Sequence, residues 1–564
     1  MGALASRARS VAKPLVAAGD GSVRHASVAV SLAVLFLLVY GVALGARDLW
    51  NPNEPLYGQV VREMAARSDW VVPTANGEVF AEKPVLYYWL ALASSRALGG
   101  IDELSLRLPS ALAGVAGVVL LYLLASRYVG RGQAALMACC LGTQYGYWFA
   151  ARQVQMDVLL SVLVLATLLP LLRLLDHGAR PAGAFAVAGL AAGGGFLAKG
   201  PLALLLPALV LTAYLGATRR PPDLGLWRPA LAGVASFLLV AAPWTLLLWR
   251  TSPEGLSEMF LRQNVARFVE AWDHHQPWWY YLRYIWLELA PWSWIAPLGV
   301  GLAASSRDED RLLRLASAWV VILVVFFSLS ESKRSPYLLP AAPAVAILAG
   351  SVLHRWQWRR LGATRSKLTW GVVLTVVSVV AGAGAIVAAA GPGLLPEGGD
   401  RLPAAGVAIF VTALLAALFM ARGRRSARAF ALVLGLAGFY VLAGAGVLPA
   451  MNEVKSARAF GRHVQQKSEE GELASFGLLT QRAEYSYYGR TVVPNLATEA
   501  ELSRFWQRPG PRFLIVEDDG LVRAREALGP VVELETARIG SRDVHLLARE
   551  ERRAHPGGGD AGGE

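Results

Sequence analysis

The sequence predicts an all-α polytopic membrane protein that carries a small α/β domain at its C-terminal end. Hydrophobic residues make up 55% of the 564 residues and charged residues only 17%, a balance far from that of soluble globular domains. Apolar runs near the roughly 20 residues that a helix needs to cross a bilayer recur from Ala26 to about Val447. After Ala450 the hydropathy falls, and helical and strand patterns alternate.

Thirteen apolar segments are predicted to span the membrane, namely residues 26–46, 107–127, 132–150, 155–175, 182–198, 201–218, 230–249, 290–305, 312–329, 337–353, 369–390, 403–421 and 428–447. Hydropathy alone would add residues 85–99 as a fourteenth span. If that segment instead lies along the surface, the arginine clusters between later spans fall on the side of the basic N-terminus. We therefore predict a cytoplasmic N-terminus and two interfacial helices, 54–67 and 85–99.

This topology divides the chain into four predicted parts: a flexible basic arm (1–25), a transmembrane domain (26–448) with external loops at 47–106 and 250–289, an extracytoplasmic α/β domain (449–548) and a disordered tail (549–564). Within the α/β domain, the patterns predict helices at 456–466 and 521–528 and strands at 474–478, 491–493, 512–516 and 544–547. The net charge of +13 does not indicate nucleic-acid binding, because the cations lie in short clusters between apolar runs.

The polar stretch after the first span is the first candidate for an active site. Glu54 could activate an acceptor hydroxyl or steady a cationic group. Alternatively, it is an ordinary first-turn charge on a helix that Asn53 caps. Tyr57 lies in the same stretch, and the local sequence favours neither reading.

Other charged residues are predicted at the outer ends of helices, where a cavity would make them functional. Lys83, between Glu82 and a proline, could bind a phosphate or extend to lipid headgroups. Asp157 could be a base or only the ion-pair partner of Arg152, and Lys199 could bind a ligand or belong to a turn.

Lys333 and Arg334 break the rule that basic residues stay inside, and such a compact pair could hold a lipid phosphate. His274 and His275 do not predict a metal site, because neighbouring side chains diverge and no carboxylate or cysteine spacing completes one. The sequence also lacks nucleotide-binding fingerprints.

A series of motifs resembles the bacterial aminoarabinose (lipid A) transferases, which belong with the protein O-mannosyltransferases of glycosyltransferase family 39 in the GT-C class. The motifs run in order over about residues 47–345: Asn51-Pro52-Asn53-Glu54-Pro55, Tyr57, Arg62-Glu63-Met64, Asp69-Trp70-Val71-Val72-Pro73, Asn76-Gly77-Glu78, Glu82-Lys83-Pro84, Arg107-Leu108-Pro109-Ser110, Lys199-Gly200-Pro201, Asn264 to Arg267-Phe268, Gln276-Pro277-Trp278-Trp279-Tyr280-Tyr281, and Lys333-Arg334 to Tyr337-Leu338-Leu339-Pro340.

The resemblance implies a GT-C fold and transfer of a sugar from a polyprenyl-phosphate donor to a lipid, glycan or protein acceptor at the outer face of the bacterial inner membrane. It also implies that Lys83 and Arg267 contact the donor phosphate, with Tyr337 near it, and that Asp157 lines the cavity. Cations would stabilise the leaving phosphate while a carboxylate takes the acceptor proton. No metal or other cofactor is expected, because no nucleotide diphosphate leaves.

One departure from the family pattern concerns the base. The family usually has Asp-Glu where this chain has Asn53-Glu54, and Arg where it has Leu56. Because an amide cannot be a general base, Glu54, or after it Asp157, is expected to take that role, unless a different acceptor has less need of a base or the activity is altered. A membrane transporter or lipid flippase is the alternative function, although transporters typically carry their charges at mid-span in repeated halves.

Overall fold

The computed structural model describes residues 18–221, 224–269, 274–305, 310–394, 402–422, 424, 427–478 and 482–549. Ten helices in these ranges are long and apolar enough to cross a membrane: Val23–Gly41 (part of a helix that begins at Ala18), Glu103–Ala125, Asp157–His177, Pro181–Lys199, Trp227–Thr251, Arg311–Leu329, Ser335–Gln357, Ala363–Ala390 (within Ala363–Leu394), Leu402–Arg422 and Arg428–Ala450. The protein is therefore a multi-pass membrane protein, as the sequence predicts.

The remaining three predicted spans are shorter apolar helices. Residues 201–218 form Leu202–Ala217, and residues 290–305 form a 3₁₀ turn, Trp292–Trp294, followed by Ala296–Ser305. Residues 132–150 divide into Arg131–Gly142 and Tyr145–Ala151. At the break between these two helices, the Tyr145 N–H donates to the Ala290 carbonyl of another segment at 2.8 Å. Such partners within the protein allow irregular backbone at membrane depth.

The first helix begins earlier than predicted, at Ala18 rather than residue 26, so only residues 1–17 of the predicted arm remain, and they lie outside the described ranges. The two predicted interfacial helices are present as Asn53–Arg67 and Leu86–Leu98. Between them, β1 (Thr74–Ala75) and β2 (Glu78–Val79) form a hairpin. Its turn is Asn-Gly with positive φ at both residues, the sequence that a two-residue hairpin turn favours.

The segment predicted as the second external loop, 250–289, contains short elements in its described residues: the helix Pro253–Ser257, the π-helical segment Glu258–Ala266, one helical turn at Arg267–Val269 and the helix Tyr280–Glu288. An isolated β-bridge between His275 and Ser332 joins this region to the chain that precedes the 3₁₀ segment Ser335–Ala341. A further 3₁₀ turn, Leu224–Leu226, precedes the helix at Trp227.

The C-terminal part is an α/β domain, as predicted. Its helices are Asn452–Lys455, Arg458–Glu470, Glu484–Gly489, Glu499–Gln507 and Asp518–Leu528. Its strands are β3 (Glu472–Phe476), β4 (Asn495–Leu496), β5 (Arg512–Glu517), β6 (Val531–Ile539) and β7 (Arg542–Arg549), in the order β4-β3-β5-β7-β6. The first three are mutually parallel, and β7 runs antiparallel to both β5 and β6.

The helices Asn452–Lys455, Glu484–Gly489 and Glu499–Gln507 have no counterpart in the prediction, and two of the strands also differ from it. The strand predicted at 491–493 is wrong: the short strand is β4, which begins after Pro494, a residue without the N–H that a ladder needs. The edge strand β6 was not predicted, because its side chains are mostly charged or exposed and it lacks the apolar pattern of a buried strand. β7 ends at Arg549, and the rest of the predicted tail, 550–564, lies outside the described ranges.

Candidate active site

A cavity of about 320 Å³, called here the amphipathic cavity, opens at the ends of three apolar helices. Its apolar wall consists of Pro84, Pro201, Leu202, Leu205, Phe268, Phe326 and Phe327. Its polar end consists of Glu82, Lys83, Lys199, Gln263, Asn264, Arg267, Ser330, Ser332 and Tyr337. A ligand with a charged head and a long hydrocarbon tail matches this division.

The polar end carries three cations against one carboxylate, that of Glu82. Arg267 is buried, and its guanidinium is held by the Ser332 hydroxyl at 3.3 Å and the Gln263 side-chain oxygen at 3.1 Å. The Lys199 ammonium lies 4.7 Å from the centre of the Tyr337 ring. Clustered lysine and arginine donors of this kind bind phosphate through charge-assisted hydrogen bonds.

Lys83 is affected first by its burial and then by the neighbouring charges. Burial lowers the pKa of Lys83 to about 8; the neighbouring Glu82 opposes the shift, while Lys199, Arg267 and Arg334 add to it. Because like charges destabilise one another, an anion among them would favour the protonated lysine. The site is therefore prepared electrostatically for a negatively charged group.

A second space of about 20 Å³, called here the narrow cavity, shares Lys83, Lys199 and Tyr337 with the first. Its other lining residues are Asn53, Tyr57, Gln155, Met156, Asp157, Arg334 and Pro336. Asp157 is the single carboxylate among the described residues of this lining, so the narrow cavity places a carboxylate beside the two lysines that it shares with the amphipathic cavity.

Asp157 begins the helix Asp157–His177 and is held by two donors. The Lys199 ammonium forms an ion pair with one carboxylate oxygen, and the Gln155 side-chain amide donates to the other at 2.6 Å. Arg152 is therefore not its partner. Burial also raises the pKa of Tyr57 well above its usual value, so its hydroxyl remains a hydrogen-bond donor to this cavity.

Glu54 is buried but is not among the described residues that line either cavity. Its carboxylate pairs with Arg107 at 2.8 Å and Arg47 at 2.7 Å, and it accepts the Val154 N–H at 3.0 Å. Burial opposes its ionisation, but the two guanidinium groups outweigh that effect and lower the pKa of Glu54 to about 2. A carboxylate so stabilised as an anion is a poor proton acceptor.

Asn53 does not cap the helix. Pro52, whose side chain cannot accept a hydrogen bond, occupies the capping position, and the helix begins at Asn53. The half-buried Asn53 side chain instead lines the narrow cavity.

Two other residues that the sequence predicted for the site lie elsewhere. The Lys333 ammonium donates to the backbone carbonyls of Gln276, at 2.9 Å, and Ser330. Arg152 donates to the carbonyls of Tyr40 and Val42, at 2.7 and 2.8 Å. Neither is among the described residues of either cavity lining, because backbone carbonyls at chain ends and turns engage their charges.

The structure brings together Asn53, Tyr57, Glu82, Lys83, Asp157, Lys199, Arg267, Arg334 and Tyr337 around the two cavities. Sequence reasoning assigned no site role to Arg47, Arg107, Gln155, Gln263 or Asn264, although Arg107 and Asn264 stand in the motifs quoted above. Arg107 gave a usable signal, because it is an arginine inside an otherwise apolar segment, where a charge is expensive. The three amide residues gave no such signal.

Comparison with known proteins gives a consistent relationship. A family described as dolichyl-phosphate-mannose-protein mannosyltransferase matches residues 82–249. The undecaprenyl phosphate-alpha-4-amino-4-deoxy-L-arabinose arabinosyl transferase of Shewanella sediminis is 31% identical over 340 residues, which is 60% of this chain and 62% of that protein. The protein of the same name from Pseudomonas aeruginosa is 34% identical over 57% of this chain and 59% of its own. The matches thus span about three fifths of these relatives.

The structural match is more extensive. The crystal structure of ArnT from Cupriavidus metallidurans bound to undecaprenyl phosphate aligns with a TM-score of 0.73 and 25% identity, over 94% of this chain and 98% of that one. The same protein in its apo state aligns with a TM-score of 0.72. The chain therefore has the GT-C fold of integral-membrane glycosyltransferases and resembles the bacterial aminoarabinose transferases in both sequence and structure.

Proposed function

We propose that this protein transfers a sugar from a polyprenyl-phosphate donor to a lipid, glycan or protein acceptor. The observation that carries the proposal is that Lys83, Lys199 and Tyr337 line both cavities. A donor phosphate among these residues would have its lipid tail on one side and the Asp157 carboxylate on the other. The anomeric carbon would then lie at the junction of the two spaces.

The donor fits the amphipathic cavity by its chemistry. The wall that includes Leu205, Phe326 and Phe327 offers apolar surface to isoprene units, whose burial is favourable by about 25 cal/mol per Å². Arg267 and Lys83 would bind the phosphate oxygens. The undecaprenyl phosphate in the ArnT structure supports the same ligand class here.

The transfer is a displacement at the anomeric carbon. The acceptor oxygen forms a bond to that carbon while the bond to the phosphate oxygen breaks, and the phosphate leaves with the electron pair. Lys83, Lys199 and Arg267 would stabilise the charge that develops on the phosphate, so the proposal calls for no metal or organic cofactor. The acceptor proton passes to a carboxylate.

We assign that carboxylate to Asp157 and not to Glu54. Asp157 lines the narrow cavity, whereas Glu54 is not among the described residues of either lining and is paired with two guanidinium groups, those of Arg47 and Arg107. Asn53 lines the same cavity but has an amide and cannot accept the proton. Glu54 would act as a positioning residue that fixes the start of its helix.

The proposed location is the inner membrane of a bacterium, with a cytoplasmic N-terminus and the C-terminal domain on the outer side. The arginine clusters between spans support this orientation, because cytoplasmic loops carry an excess of basic residues. Membrane lipids and the lipid-linked sugar would be its partners. The gathering of the site residues at helix ends and in external segments favours a transferase over a transporter.

Binding of undecaprenyl phosphate to the purified protein in nanodiscs tests the proposal. We expect Arg267→Ala to weaken binding roughly 10-fold or more, the range for loss of a charge-assisted hydrogen bond. Arg262→Ala is the matched control, because Arg262 lies on the adjacent π-helical segment, pairs with Glu258 at 3.1 Å and is not among the residues described in either lining. Equal effects of both substitutions, or no binding by the wild type, would contradict the donor assignment.

The acceptor can be identified by mass spectrometry of envelope lipids, glycans and proteins from cells with and without the gene. We expect one class of molecule to lose a sugar when the gene is absent. If the envelopes of cells that express the protein and of cells without the gene are identical, the result would count against a transferase.

A further inference from the structure

The C-terminal domain makes dense contacts with the segment that leads into the site. This segment, residues 46–52, called here the entry loop, connects the first span to the helix that begins at Asn53. It has no regular secondary structure, so its backbone polar groups need partners elsewhere. Pro52, the last residue of the entry loop, directly precedes Asn53, which lines the narrow cavity.

Asn452 of the C-terminal domain supplies several of these partners. Its side-chain oxygen accepts the Asp48 N–H at 3.0 Å and the Trp50 indole N–H at 3.1 Å. Its side-chain nitrogen donates to the Ala46 carbonyl at 3.3 Å. The Lys455 ammonium lies 4.9 Å from the centre of the Trp50 ring. One short helix of the domain therefore holds both the backbone and the aromatic anchor of the loop.

Two further contacts fix the middle and the end of the loop. The Tyr488 hydroxyl accepts the Leu49 N–H at 2.6 Å. The Asn51 side-chain amide donates to Glu484 at 2.6 Å. The backbone N–H groups of Asp48 and Leu49 are thus bound by side chains of the C-terminal domain, in place of a helix or sheet ladder.

Arg458 joins the loop to a membrane span. Its guanidinium pairs with Asp48 at 2.6 Å and also with Glu103, the first residue of the helix Glu103–Ala125. The Ser456 hydroxyl donates to the other oxygen of Asp48 at 2.6 Å. Loop, domain and span meet at this one side chain.

We infer that the C-terminal domain is a positioning element for sugar transfer: it fixes the entry loop, and through the loop the start of the helix at Asn53, against the narrow cavity. The inference rests on the proposed function. The domain would then act on the chemical step and not on donor capture, because Arg267 and Lys199, which face the donor, lie on other elements. Holding reacting groups in the correct geometry can lower the activation free energy of a reaction substantially.

The test compares Arg458→Met with Arg458→Lys in the full-length protein in nanodiscs. Arg512→Met is the matched control, because Arg512 is a buried arginine that pairs with Glu472 within the same domain and away from the loop. For each variant, hydrogen–deuterium exchange of the 46–53 peptide, undecaprenyl phosphate affinity and kcat are measured.

For Arg458→Met we expect exchange in 46–53 to accelerate at least fivefold and kcat to fall about 10-fold, while donor affinity changes less than twofold. Arg458→Lys should recover part of both losses, and Arg512→Met should change neither the loop exchange nor kcat. Unchanged exchange, an unchanged kcat despite faster exchange, or the same effect from Arg512→Met would overturn the inference. If the wild type transfers no sugar, the proposed function fails, and the exchange data alone decide whether the domain holds the loop.

Discussion

The Nε atom of Arg107 lies 2.8 Å from Oε1 of Glu54, across 53 positions of sequence and with both side chains buried. Arg47 approaches the other carboxylate oxygen at 2.7 Å. The remaining Arg107 donors bind the Leu44 carbonyl at 3.0 Å and the Asp48 carbonyl at 2.8 Å. This cluster joins the first span, the entry loop and the helix at Asn53, and it explains why Glu54 is held as an anion.

Glu54→Gln is expected to destabilise the protein strongly, because it leaves two buried guanidinium groups without their counter-charge. Loss of one partner of a buried ion pair typically costs about 3–5 kcal/mol. Thermal unfolding in detergent measures the effect. Glu63→Gln on the same helix is the control: the Glu63 carboxylate accepts hydrogen bonds from Thr74 and Asn76, so a smaller loss, about 1–3 kcal/mol, is expected. A Glu54→Gln protein that is fully stable but inactive would contradict this assignment and indicate that Glu54 is the base.

Donor affinity is expected to fall at alkaline pH. Burial lowers the pKa of Lys83 to about 8, so the ammonium is present below that pH and is lost above it, whereas the donor phosphate keeps its charge throughout. We expect the affinity for undecaprenyl phosphate to decrease between about pH 8 and 10. Lys83→Arg is the control, because a guanidinium keeps its charge over this range, and its affinity should be nearly independent of pH. Equal pH profiles for both proteins would contradict this reading of Lys83.

The fold class could be predicted from the sequence, because apolar length is a local property. The side of the membrane that carries the site stays a prediction from charge parity. What each charge binds could not be predicted. Lys199 and Lys333 both follow apolar segments and look alike in the sequence, yet one faces a carboxylate in a cavity and the other faces two carbonyls. That difference depends on how distant segments pack. The same is true of Glu54, whose partner Arg107 comes from another helix.

Lys333 is expected to contribute to stability and not to donor binding. Lys333→Met removes an ammonium that holds the Gln276 carbonyl at 2.9 Å, so the melting temperature should fall, while affinity for undecaprenyl phosphate should stay within about twofold of wild type. Lys83→Met is the comparison, with the opposite pattern expected: weaker binding and little change in melting temperature. Weak binding by a stable Lys333→Met protein would return Lys333 to the phosphate site.

The position of the base is tested by moving the carboxylate within the narrow cavity. Asp157→Asn is expected to lower kcat by about 10²–10⁴, the usual contribution of general base catalysis, while the donor still binds. Asn53→Asp added to that variant should recover part of the activity, because residues 53 and 157 line the same space.

The double variant has the same net charge as the wild type, so recovery would depend on where the carboxylate lies and not on the overall field. Asn53→Ala in the Asp157→Asn background is the control and should recover nothing. Wild-type turnover by Asp157→Asn would remove Asp157 from the mechanism. Recovery by the double variant would instead show that Asn53 occupies a position from which a carboxylate can reach the acceptor, and that Asp157 performs that task because the amide at residue 53 cannot.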